Sequence, residues 1–137
     1  MNKIKLLNKK TSKKKPAFTL IELIAVMGII AILASVLIPK VTVYVKEARK
    51  TQVIDQARKV ILAVESVNMK SPNTIADDSN VEDAVEKSGG LLTNDDITKL
   101  NASKTNIATC KEIVDTEKYN FTLDDNNNLG DVKPIAQ

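Results

Sequence analysis

Between Phe18 and Ile38 the sequence runs for 21 residues with a single charge, Glu22. As a helix at about 1.5 Å per residue, that run spans about 31 Å, close to one hydrocarbon core. It therefore reads as a membrane helix, and everything else in the chain must be arranged around it. The glutamate adds a second constraint. An ionisable side chain inside such a helix costs roughly 2.5 kcal/mol or more, so it normally has a partner and a purpose.

Seven lysines and no acid occupy residues 1–17, a charge of +7, whereas the remainder carries a net charge of −4. A basic block before an apolar span holds its own side of the membrane cytoplasmic, so the body that follows is expected to be exported. An ordinary secretory signal would end its apolar region in a small-x-small cleavage site. Here the run closes on Ser-Val-Leu-Ile-Pro-Lys, without that signal. A simple uncleaved anchor is the bland alternative.

Lys14 to Leu23 reads Lys-Lys-Pro-Ala-Phe-Thr-Leu-Ile-Glu-Leu. This segment resembles the processing site of type IV pilins and pseudopilins, the class III signal peptides. The resemblance covers residues 13 to about 45 and says little about 70–137. It implies that residues 1–17 are a leader, removed by a prepilin peptidase between Ala17 and Phe18. Phe18 would become the N-methylated first residue, Glu22 and Thr19 would lie at the assembly end of the helix, and Pro39 would be the helix-kinking proline. Three departures stand out: Ala17 where Gly is usual, a long leader, and Gly28 rather than a glycine at Ala31. Cutting before Phe18 would create an amine four residues from Glu22, one helical turn away on the same face. An ammonium there can neutralise Glu22, within one subunit or from a neighbour being added. Thr19 can bond backbone near the helix start.

Pro39 lacks an N–H and crowds the preceding turn, so a kink or break is expected there. Beyond it, apolar residues recur at Val41, Tyr44, Val45, Ala48, Val53, Ala57, Val60, Val64 and Val67. That spacing has a 3.6-residue period. One helix from about 18 to 69 is expected, its first half apolar all round and its second half one-sided. Ser71-Pro72-Asn73 should end it. Ser79-x-x-Glu82 reads as a capping box before a short helix that stops at Gly89-Gly90. Thr93–Leu100 reads as one or two further helical turns. Ile107–Thr116 is rich in β-branched residues and reads as a strand. Tyr119–Leu123 alternates, and with 129–133 it would complete an antiparallel sheet of about three strands. The expected class is α+β: a long N-terminal helix whose amphipathic half packs on a small antiparallel sheet, pilin-like where the resemblance is applied. The expected organisation is a leader (1–17), a membrane and assembly helix (18–38) and a head (39–137).

Other sites are weaker. Asp124, Asn126, Asn128 and Asp131 alternate oxygen ligands, but a calcium loop wants a glycine at its sixth place and a distal Glu. Turn chemistry explains such runs without a metal. Asn101-Ala102-Ser103 and Asn120-Phe121-Thr122 fit a glycosylation acceptor pattern. With no His, and Cys110 lacking an evident activator, no nucleophile–base pair is visible, and the chain reads as neither an enzyme nor a cofactor carrier. Cys110 reads as a small core residue, with an intermolecular bridge as the sharper alternative. The dispersed basic residues of the body give no footprint for direct DNA binding, which would have to come through a filament.

The function expected from the resemblance is that of an exported structural subunit, membrane-held and then polymerised through its N-terminal helix into a surface filament. Its partners would be copies of itself, the prepilin peptidase, an assembly ATPase and an inner-membrane platform. A competence or secretion pseudopilin is the neighbouring alternative. A single-span binding protein that never polymerises is the rival from another class.

Overall fold

The computed structural model describes residues 17–136. The basic leader is thus described only at Ala17, and the lysine block lies outside the described residues. The order of elements is helix α1 (Leu20–Lys70), helix α2 (Val81–Lys87), a 3-10 turn (Asn94–Ile97), helix α3 (Ile107–Val114), strand β1 (Tyr119–Leu123) and strand β2 (Leu129–Pro134). The chain divides into two units, one up to Lys40 and one from Val41 onward.

Helix α1 does not end at Pro39, which lies within it. The expected break is absent although Val36, Ile38, Val41, Thr42 and Val43 around it are β-branched, because one missing N–H removes one rung of the ladder, not the helix. The helix stops at Lys70. Ser71 still donates its N–H to the Val67 carbonyl at 2.9 Å, and Asn73 then takes a left-handed φ of 58°. The Asn68 side chain returns the chain onto the helix. Its Nδ2 donates to the Ile75 carbonyl at 2.9 Å, and its Oδ1 accepts the Ile75 N–H at 3.1 Å. That pair of bonds seats Ile75 in the core.

In the unit beyond Lys40, one core gathers side chains from every element. Val53, Ala57, Val60 and Val64 come from α1, Val81 and Ala84 from α2, Ile107, Cys110 and Ile113 from α3, and Phe121 and Leu129 from the strands. The α1 contribution falls at i, i+4, i+7 and i+11, the spacing read from the sequence. Fold class and long helix thus match the expectation: α+β, with the second half of α1 packed against a small antiparallel sheet and short helices.

Three local expectations are corrected. The Ser79–Glu82 capping box does not form. Asn80 is the N-cap of α2 and makes no side-chain cap bond. Backbone pairing decides this start, because Val81 donates to the Thr105 carbonyl and Ile107 donates to the Ser79 carbonyl. The expected strand at 107–116 is instead α3. Asn106 Oδ1 accepts the Thr109 N–H at 2.8 Å and caps it, and Ile107, Cys110 and Ile113 bury one helical face. A three-residue period with a cap outweighs β-branched composition, whose preference spans only about 1 kcal/mol. The sheet has two strands, not three, in antiparallel register with Phe121 opposite Val132 and an irregularity between Phe121 and Leu123. Gly130 faces Thr122 so closely that a Cβ there would lie 2.9 Å from Thr122 Oγ1.

Gly89 and Gly90, expected as the stop of α2, have φ of 61° and 92°, which non-glycine residues rarely adopt. The 3-10 turn that follows carries a capping box. Thr93 donates its N–H and its Oγ1 to Asp96 Oδ2, at 3.1 and 2.8 Å. The other Asp96 oxygen accepts Lys59 Nζ of α1 at 2.9 Å. Gln56, one turn earlier, accepts the Lys99 N–H at 2.7 Å and donates to Thr98 Oγ1 at 3.1 Å. Two polar side chains of α1 thereby hold the connector.

Lys59 beside it, with Thr93, pulls the Asp96 carboxyl down to about 2. A carboxylate whose folded-state pKa lies below its unfolded value of about 3.9 stabilises the fold above that value and loses the contribution as pH falls through the lower one. Asp96→Asn is therefore expected to unfold at a lower temperature than the parent at neutral pH, with the gap closing between about pH 4 and pH 2. Thermal unfolding followed by circular dichroism across that window checks it. A gap that persists unchanged at the acid end would contradict the ion-pair account.

Candidate functional site

The residues singled out at the N-terminal end lie together. Ala17, Phe18 and Thr19 precede α1, which begins at Leu20. The Thr19 carbonyl accepts the Leu23 N–H at 3.3 Å, the first bond of the helix, so Thr19 is the N-cap. Its side chain and Glu22 then close a reciprocal box. Glu22 Oε2 accepts the Thr19 N–H at 2.8 Å and the Thr19 hydroxyl at 2.8 Å. Thr19 Oγ1 accepts the Glu22 N–H at 3.3 Å. Two of the four orphan donors of the helix start are satisfied this way. The Thr-x-x-Glu spacing is the capping-box signature, here set at the mouth of an apolar run.

This geometry changes what Glu22 can do. The carboxylate is committed through Oε2 to residue 19, while Oε1 accepts no bond from that box. A carboxylate offers about four acceptor sites, so one more cation can be received without dismantling the cap. The cap also fixes the rotamer of Glu22, directing its head toward the chain end and the positive pole of the helix.

From Phe18 to Ile38, every large apolar side chain is exposed in the single chain. Only Ala34 is half-buried across 17–48. The helix is long and apolar enough to cross a membrane by length and composition. Ser35, the one hydroxyl between Leu20 and Ile38, donates to the Ile32 carbonyl at 2.7 Å, so its polarity is spent on its own backbone. Pro39 lies twenty residues beyond Thr19 on the same helix, not at this site.

The remaining candidates take structural roles. Asp124 Oδ1 accepts the N–H groups of Asn126 and Asn128 at 2.9 and 2.7 Å. The Asp/Asn run is therefore organised as the turn between β1 and β2, with Asn127 at φ 59°. Among the described residues, no group of three His, Cys, Asp or Glu stands close enough to hold a metal. Asn101 Nδ2 donates to the Leu129 carbonyl at 2.8 Å, which ties that acceptor-pattern amide to β2. Asn120 Oδ1 accepts Lys50 Nζ at 3.2 Å, and Lys50 also stands 5.6 Å over the Phe121 ring, so α1 is pinned to β1. Cys110 is fully buried, and burial pushes its thiol up to about 12. A thiol so placed is a core residue and unsuited to an intermolecular bridge.

With this geometry in view, the comparisons with known proteins are specific. Residues 12–38 match the model of the prokaryotic N-terminal methylation motif. The N-terminal segment is thus of the class III signal peptide type. That signal is the one carried by type IV pilins, and it points to an exported structural subunit. No curated protein and no solved structure matches the chain.

If Thr19 caps α1 as described, Thr19→Val should speed hydrogen exchange at the Glu22 amide in detergent-solubilised protein, because its N–H loses the Oγ1 acceptor. Thr19→Ser should restore the parent rate. Equal exchange in all three chains, read by NMR, would remove the cap.

Proposed function

We propose that this protein is a subunit of a type IV pilus-like filament. It is held in the membrane with its basic leader in the cytoplasm, cut between Ala17 and Phe18, methylated on the new amine, and polymerised through α1. The observation that supports this best is a conjunction. The methylation motif ends on a helix that exposes an apolar surface on all sides and begins two residues past the cut. Such a surface needs lipid before assembly and other helices after it.

The Thr19–Glu22 box supports a role for the charge as well. After the cut, the Phe18 amine lies next to Thr19, whose N–H and hydroxyl hold the Glu22 carboxylate. A Glu22 held in one rotamer presents a fixed anion to an incoming amine, and pairing in a low-dielectric surround favours one register of docking. The residues beyond Val41 form the exported head, which decorates the filament. The prepilin peptidase, an assembly ATPase and a membrane platform complete the machinery on this reading. Ala17 at the cut favours, as a second reading, a pseudopilin of a competence or secretion apparatus, which shares every step up to the length of the fibre.

Glu22→Ala is expected to leave cleavage intact and to lower the yield of sheared surface fibres by about tenfold or more, since each subunit addition would lose the ion pair. Immunoblots of cell-bound and sheared fractions measure both quantities at once. Fibres at parental yield would remove the charge from the assembly mechanism. Absence of surface fibres from a parent chain that is cut before Phe18 would favour the pseudopilin, and from a parent chain left uncut a membrane-anchored binding protein.

A further inference from the structure

Beyond Pro39, α1 carries a short apolar stripe that the core does not use. Val41, Tyr44, Val45 and Ala48 recur at i, i+3, i+4 and i+7, so they share one face of the helix. All four are exposed, Tyr44 to 72%. At about 100° per residue the stripe is turned roughly 140° from the face that Val53, Ala57, Val60 and Val64 bury. The same chain therefore leaves it open. Further along that face stand Gln52, Asp55 and Lys59, so the face changes from apolar to polar between Ala48 and Gln52. The stripe has the make-up of a bilayer boundary. A tyrosine at headgroup level sets its ring against hydrocarbon and its hydroxyl in water. Lys40 and Lys46 flank Tyr44, and neither forms an ion pair among the described residues. Lysines so placed lay their stems over apolar surface and put the ammonium among the headgroups.

The charges along the helix fix the register in the bilayer. With Phe18–Ile38 as the crossing segment, the Glu22 carboxylate starts about 6 Å inside hydrocarbon, where an ionisable group is costly. A bilayer placed five residues further along encloses Leu23–Val43, again 21 residues and about 31 Å. The Thr19–Glu22 box then stands at one boundary and Tyr44 at the other. The one charge left inside is Lys40, about 5 Å from the boundary, a depth its side chain spans by snorkelling. We propose that the membrane-held chain crosses hydrocarbon with Leu23–Val43 and seats the Val41, Tyr44, Val45 and Ala48 stripe at the headgroup boundary of the exported leaflet. This rests on the membrane-held state of the reading above and says where in the bilayer that state sits. The partner of the stripe is the phospholipid surface. Tyr44 is six residues from Ile38, at most about 22 Å even as extended chain, so the lipid around the span is continuous with the stripe. Release into a fibre must then withdraw this stripe from lipid as well as the apolar run before it.

The chain has no tryptophan, so a single introduced one reports its own depth by fluorescence. Tyr44→Trp, Leu33→Trp and Leu62→Trp are made separately in the full-length chain. Each is reconstituted in vesicles of phosphatidylcholine and phosphatidylglycerol whose acyl chains carry bromine, a quencher, at a shallow or a deep position. Tyr44→Trp should be quenched most by the shallow bromines. Leu33, at the midpoint of Leu23–Val43, should as Leu33→Trp be quenched most by the deep ones. Leu62→Trp, at a head position exposed to 65%, should stay unquenched and emit to the red of the other two. Red, unquenched emission from Tyr44→Trp would place the stripe in water and overturn the proposal. Strongest quenching of Tyr44→Trp by deep bromines would overturn it as well, as would strongest quenching of Leu33→Trp by shallow ones. Blue, unquenched emission from Tyr44→Trp that grows with the protein-to-lipid ratio would put a second copy on the stripe instead of lipid. A parent chain that does not float with the vesicles would sink the membrane-held state itself, a failure distinct from all of these.

Discussion

A helix that is apolar on every side has nowhere to go in water. Each square ångström of its surface left wet costs about 25 cal/mol relative to burial, and the large side chains from Phe18 to Ile38 are all exposed in the isolated chain. The core of the unit beyond Lys40 is filled by the other half of α1 and the short elements after it. The environment must therefore supply the cover: on the reading offered above, first lipid and then copies of the same helix. In this exchange apolar contact is present on both sides, so specificity has to come from polar groups. On that reading the choice falls to Thr19 and Glu22, the polar groups at the start of the helix.

The head solves a different problem. With aromatic residues at 3% and one buried cysteine, it has few large side chains with which to lock its parts together. Four polar side chains of α1 do much of that work. Lys50 reaches β1, Gln56 and Lys59 reach the connector, and Asn68 returns the chain onto the helix. They are spaced along the helix at six, three and nine residues, so the connector and β1 are held to it at several heights.

Much of this was legible in the sequence, and the reasons differ by element. The long helix was readable because its apolar pattern persists for many turns and its end carries Ser71-Pro72-Asn73. The hairpin was readable because Tyr119, Phe121 and Leu123 alternate. Helix α3 was misread because Ile107, Thr109, Ile113 and Val114 are β-branched, and the signals that outweighed them, the Asn106 cap and the Ile107–Cys110–Ile113 spacing, are short. The start of α2 was misread because backbone pairing with residues 105–107, distant in sequence, sets it. At the site, the motif was plain but the role of Thr19 was not. The Thr19-x-x-Glu22 spacing is a capping signature, but spacing alone does not show that one threonine both caps the helix and holds the carboxylate.

The central claim is that the segment from Phe18 to Ile38 serves two states, an anchor behind a basic leader and an assembly element that begins at a free amine. Intact mass of the protein recovered from the membrane of cells that possess a prepilin peptidase tests it directly. The account predicts a chain that begins at Phe18 and is heavier than that sequence by one methyl group. A chain that retains residues 1–17 would contradict it.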